Sequence, residues 1–182
     1  MSTFNVPKRE EVNENNQAIF DNLEKAIGFV PNLYAAMAYS KNGLGEYLKF
    51  SNTKLSLSAK EKEAVDLAVS QVNGCLYCQS AHTATSKLKG YTDEQILELR
   101  QGRASWDAKL NALASISKEI AETSGKVSES AKDAFYNAGY TKENLVDLTF
   151  AYAIITVTNT LHNLTDVAID FPLAQPLEIE TV

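Results

Sequence analysis

The sequence predicts an all-α fold, a helical bundle. Three observations carry this. The four prolines, Pro7, Pro31, Pro172 and Pro176, all sit where a helix would end or the chain turn. No stretch alternates Val, Ile or Thr with polar residues at period two, so strands lack support. Apolar residues recur instead at helical spacing, twice behind a Ser/Thr-x-x-Glu/Gln start signal.

The elements follow in order. A first helix is predicted over about Glu14 to Ile27, with Ile19, Phe20, Leu23 and Ile27 on its apolar face, broken by Gly28-Phe29-Val30-Pro31-Asn32. Short helices are expected from Leu33 to Tyr39 and from Leu44 to Asn52. Ser58-Ala59-Lys60-Glu61 is a capping box that opens a helix running to Asn73-Gly74, a good terminator. A further helix carries Cys78 to Lys89 and stops at Gly90. Thr92-Asp93-Glu94-Gln95 opens a short one to about Arg100. Trp106 to Glu122, Ser128 to Asn137, and a long or kinked segment from Thr141 to about Ala168 complete the chain. We expect a single domain over residues 1–182. A weak internal repeat relates about 57–90 to 138–170, since Val65-Asp66-Leu67 aligns with Val146-Asp147-Leu148. In that register Cys75 matches Thr156, Cys78 matches Asn159 and His82 matches Asn163; chance similarity of two amphipathic helices is the competing explanation.

Composition excludes several function classes. Hydrophobic residues make up 45% and charged residues 22% of 182, an ordinary globular balance rather than a disordered one. The net charge of −6, with no basic stripe, argues against nucleic acid as a partner. The longest apolar run, Phe150 to Val157, is too short to span a membrane. The first residues show no apolar stretch behind a basic start, so a cytoplasmic protein without a secretory leader is expected.

The chemistry concentrates at Cys75-Leu76-Tyr77-Cys78, which holds the only two cysteines. His82 follows one turn after Cys78, and on a helix the three fall along one face. In a reducing cytosol an isolated Cys-x-x-Cys is catalytic, redox-sensing or metal-binding rather than a structural staple. A thiol near a helix N-terminus ionises more readily, and a histidine can take its proton. Glu63, on the preceding helix, is placed to orient that histidine. One thiolate would then attack a peroxide and the other cysteine would resolve the sulfenic acid to a disulfide. Zinc held by Cys75, Cys78, His82 and Glu63 is the rival reading, weakened by the lack of a second ligand pair; two buried structural cysteines are the other. Tyr77 is read as a packing residue by default, His162 as a surface or packing residue, Lys60, Glu61 and Lys62 as a solvated helix face, and Asp66 and Asp147 as structural.

Glu63, eleven residues, Cys75-Leu76-Tyr77-Cys78, three residues, then His82 resembles the motif of the alkylhydroperoxidase D family, within the carboxymuconolactone decarboxylase superfamily. The flanking Ala68 to Gly74, the early Gly28-Phe29-Val30-Pro31-Asn32, Thr158-Asn159 and Asp170-Phe171-Pro172 resemble its longer, peroxidase-related branch. The resemblance implies an all-helical, duplicated unit assembled into homo-oligomers, with no metal and no organic cofactor. It implies that Cys78 becomes the sulfenic acid, Cys75 resolves and donates a proton, and Glu63 and His82 relay protons. Some relatives carry a second histidine where this chain has Tyr77. The expected activity is reduction of hydrogen peroxide or organic hydroperoxides, with an external lipoyl-bearing or thioredoxin-like dithiol as reductant. A general disulfide reductase or redox sensor uses the same groups. A lactone decarboxylase is the more distant alternative, because Lys87 and Lys89 fall away from His82 or near the helix end.

Overall fold

The computed structural model describes residues 4–177. Among them every regular element is helical, with no strand, as the sequence predicts. A single 3-10 turn at Arg9–Glu11 precedes nine α-helices: α1 (Glu14–Ile27), α2 (Asn32–Met37), α3 (Gly43–Ser51), α4 (Ala59–Val72), α5 (Leu76–Leu88), α6 (Asp93–Arg100), α7 (Ala108–Thr123), α8 (Glu129–Asn137) and α9 (Lys142–Thr165). The reading of the N-terminus as leaderless rests partly on residues 1–3, which lie outside the described residues, as do 178–182.

The capping signals set the boundaries. Ser58 and Thr92 form reciprocal capping boxes with Glu61 and Gln95. Ser128 caps α8 through the Ala131 N–H. Two starts differ from expectation. α7 begins two residues late because Asp107, not Trp106, takes the cap by accepting from the Leu110 N–H. α5 begins two residues early, because Cys75 itself is the N-cap.

The described residues fall into two compact units. The smaller comprises residues up to Lys54 and Thr160–Asp170, where Val12, Phe20, Ala35, Met37 and Leu44 form the core. His162 is buried in this unit, consistent with a packing role. The larger comprises Leu55–Asn159 and residues from Phe171 on. There α4 packs against α5, α6 and α7, and α7 against α8. α4 is therefore central: Ala64, Val65, Leu67, Ala68 and Val69 have no exposed surface. A helix covered on several sides buries its polar residues too, which is how Glu63 and Asp66 come to be enclosed. α9 runs without a break through Ile154-Ile155-Thr156, the positions matched to Asn73-Gly74-Cys75, where the first copy turns. None of the helices is long and apolar enough to cross a membrane.

Candidate active site

All four residues singled out by the sequence come together in the larger unit, at the junction of α4 and α5. The junction is built by Gly74. The Cys75 N–H bonds the Ser70 carbonyl (3.1 Å) and the Gly74 N–H bonds the Gln71 carbonyl (3.2 Å), closing α4 in a Schellman motif. This needs a left-handed residue, and Gly74 sits at φ = 64°. The next residue, Cys75, is extended and caps α5: its Sγ accepts the Cys78 N–H at 3.3 Å. One tight turn thus ends one helix, starts the next and fixes the first sulfur at a helix N-terminus.

Both cysteines are free thiols and essentially inaccessible, Cys75 at 0% and Cys78 at 2% exposure. They hydrogen-bond to each other. The Cys78 S–H donates to Cys75, and this outweighs burial; the Cys78 N–H, Asn159 and the charge of His82 add to it, so the Cys75 thiol is held below its ordinary value. The Cys78 thiol is pushed well up by the same bond, by burial and by the Cys75 charge, with Thr158 and Asn159 only partly offsetting. The first proton to leave the pair therefore leaves a thiolate on Cys75.

His82 stands one turn beyond Cys78. Its Nδ1 is 2.8 Å from Glu63 Oε2 and 3.4 Å from Asp66 Oδ2. Burial disfavours the imidazolium, but Asp66 and Glu63 more than compensate, so the His82 pKa is raised. Burial likewise works against the Glu63 carboxylate, but His82 and Lys89 overcome it and hold its pKa at about 2. Lys89 bonds Glu63 Oε1, and Lys62 reaches Asp66 Oδ2 at 2.7 Å.

Several expectations need correction here. Lys89 stands at the end of α5 as expected, as its C-cap, but it is not remote from the site: its long stem folds back to Glu63. Lys62 and Glu61 are not a solvated face. Lys62 serves Asp66, and Glu61 accepts the Tyr140 hydroxyl at 2.9 Å. The structural reading of Asp66 and Asp147 holds, by different bonds: Asp66 pairs with Lys62, and Asp147 accepts the Ser56 N–H at 2.6 Å. Tyr77 packs edge-on against Phe171, 5.6 Å between centroids.

Asn159, to which the sequence assigns no role, stands against the sulfurs. Its Oδ1 accepts from Asn73 (2.9 Å) and its Nδ2 donates to Ser70 Oγ (3.0 Å), which orients the carboxamide. The register match of Cys78 with Asn159 was the available signal. The four-ligand zinc set is not assembled. His82 turns Nδ1 to carboxylates and the thiols bond each other, while the Glu63 and Asp66 charges are already met by ammonium groups. The arrangement suits proton transfer and thiol chemistry.

Comparison with known proteins agrees with the fold. Residues 31–119, which contain the whole Glu63–Lys89 constellation, match the carboxymuconolactone decarboxylase family. Among curated proteins, none matches the chain in sequence. Among solved structures, an alkylhydroperoxidase AhpD core, an uncharacterised peroxidase-related protein from Ralstonia eutropha JMP134, superposes with a TM-score of 0.82 at 20% identity, covering 93% of this chain and 92% of that one. A peroxidase-related protein from Silicibacter sp. TM1040 gives 0.80 at 20% identity, covering 92% and 91%. The debrominase Bmp8 gives 0.76 at 15% identity, covering 93% of each.

Proposed function

We propose that this alkylhydroperoxidase D-like member of the carboxymuconolactone decarboxylase family is a thiol-dependent peroxidase acting through Cys75 and Cys78. The observation that carries the reading is the bonded sulfur pair at the start of α5, with the Glu63–His82 ion pair behind it. The cycle starts from a Cys75 thiolate. As a hydroperoxide enters, Cys75 takes the Cys78 proton, and the Cys78 thiolate attacks the terminal peroxide oxygen. The O–O bond breaks, Cys78 becomes a sulfenic acid, and the departing alkoxide takes the proton back from Cys75. Cys75 then attacks the Cys78 sulfur. Hydroxide leaves and is protonated by the His82 imidazolium, giving water and a disulfide. Two electrons pass from the thiols to the peroxide, and an external dithiol restores them.

Burial helps choose among dithiol chemistries. A small hydroperoxide reaches thiols of 0% and 2% exposure far more readily than a folded protein disulfide does. This favours peroxidase over general disulfide reductase, and a slender lipoyl arm over a broad thioredoxin-like surface as reductant. A lactone decarboxylase fits less well, because Lys62 and Lys89 are already engaged by carboxylates. Because the same fold carries a debrominase, the fold alone does not name the substrate. A cytoplasmic setting suits the free thiols. Homo-oligomer formation is supported by the exposed Val146, Phe150 and Val157 along α9.

The test is peroxide consumption with a dithiol reductant. Cys78→Ser should abolish it, and Cys75→Ser should stop after one equivalent, trapped as sulfenic acid. Undiminished turnover by Cys78→Ser would remove the proposal.

A further inference from the structure

His82 Nδ1 carries at most one proton, and two carboxylates face it. Glu63 at 2.8 Å is enough to fix the tautomer and the ring orientation. Asp66 Oδ2, at 3.4 Å, is additional. The Asp66 side chain is wholly buried, and its Oδ1 has no hydrogen-bond partner. Leaving a buried acceptor unpaired forfeits its hydration with nothing in return. Lys62 alone does not account for the acid, since it meets only Oδ2 and leaves Oδ1 without a partner. A carboxylate retained under that penalty, beside the histidine of a relay, has the placement of a group that sets charge.

We propose that Asp66 is a positioning residue of the relay: its buried carboxylate, aimed at His82 Nδ1 beside Glu63, keeps the imidazole protonated one turn beyond Cys78. The inference rests on the dithiol reading above and specifies its resting state. A protonated imidazole favours the thiolate on Cys75, the sulfur already held below its ordinary value. Asp66 also offsets Lys62, whose ammonium on its own would drive His82 toward the neutral form. The charged and titratable groups acting on His82 are Lys62, Glu63 and Asp66 from α4 and Cys75 at the start of α5. Lys89 reaches it through Glu63.

The chain has two histidines, so imidazole NMR signals of the reduced protein are assignable by comparison with His82→Asn. In the wild type the His82 midpoint should lie above the ordinary value of about 6.5. Asp66→Asn should lower it by about one pH unit or more, the effect of removing one close opposite charge. Lys62→Met should raise it. Both substitutions break the same Lys62–Asp66 ion pair, so a merely structural pair predicts no such opposition. An unchanged midpoint in Asp66→Asn, or a lowered one in Lys62→Met, overturns the inference. If Asp66→Asn does not fold, Asp66→Ser and Asp66→Glu decide: a His82 midpoint lowered by the first and kept by the second supports the role of Asp66, and a midpoint unchanged in the first rejects it. A wild-type protein that consumes no peroxide would defeat the proposed reaction but not this titration. A His82 indifferent to Asp66 would defeat the inference and leave the reaction standing.

Discussion

Replacing Glu63 by Gln keeps the shape and removes one charge from an enclosed site. The carboxylate side chain is 3% exposed, so solvent screening discounts little of its interaction with His82 and Lys89. Its pKa is held at about 2, against an unfolded value of 4.5. At about 1.36 kcal/mol per pH unit, that depression corresponds to on the order of 3 kcal/mol of folding stability. The sign follows from the direction. A depressed acid stabilises the fold above its unfolded pKa, and the contribution fades as pH falls from 4.5 toward about 2. His82 is raised, so its contribution is complete below about pH 6.5 and is lost only as pH climbs through its folded value. It therefore adds no slope in the acid window. Urea unfolding followed by far-UV circular dichroism, at steps between about pH 5.5 and pH 2.5, measures this directly. Glu63→Gln should be less stable than wild type by on the order of 3 kcal/mol at the upper end, and the gap should close on acidification. A gap that stays constant with pH would show that Glu63 is not held ionised by its neighbours, and the relay built on it would fail.

The remaining expectations concern the thiols and the turn that places them. His82→Ala should slow peroxide turnover by about 10²–10⁴-fold, the usual loss with a general acid–base group, read from steady-state kinetics. Asn159→Ala removes a donor to both sulfurs and strands Asn73 and Ser70; the thiolate absorbance midpoint should rise and stability fall by about 1–2 kcal/mol. Gly74→Ala meets open space, with nothing within 4 Å of the new methyl, so its cost is the φ of 64° alone. That is about 1 kcal/mol in thermal unfolding, with slower alkylation of Cys75 as the cap is displaced.

Local signals were legible wherever they act over one helical turn. Ser58 with Glu61 and Thr92 with Gln95 read correctly as caps because both partners lie three residues apart. The Glu63–His82 pair was legible for a similar reason: a tight Asn73-Gly74 turn between two helices folds them against each other, and the spacing sets which side chains meet. The family likeness added the expectation of the fold, which the solved structures bear out.

Other features depend on what surrounds α4. Lys62 reads in the sequence as part of a solvated helix face and Asp66 as a structural residue. Packing by α5, α6 and α7 encloses that helix and turns Asp66 into a buried charge. Asn159 lies 81 positions beyond Cys78, and only the long-range packing of α9 brings its amide to the sulfurs. The order in which the two thiols ionise is likewise a tertiary outcome, since it follows from which sulfur caps the helix and which one donates. By itself the sequence determined the helices, their caps and the reactive residue types, because those are set by neighbours along the chain. Burial, charge and direction were decided by the tertiary structure, because an electrostatic environment is made by residues that meet only after folding.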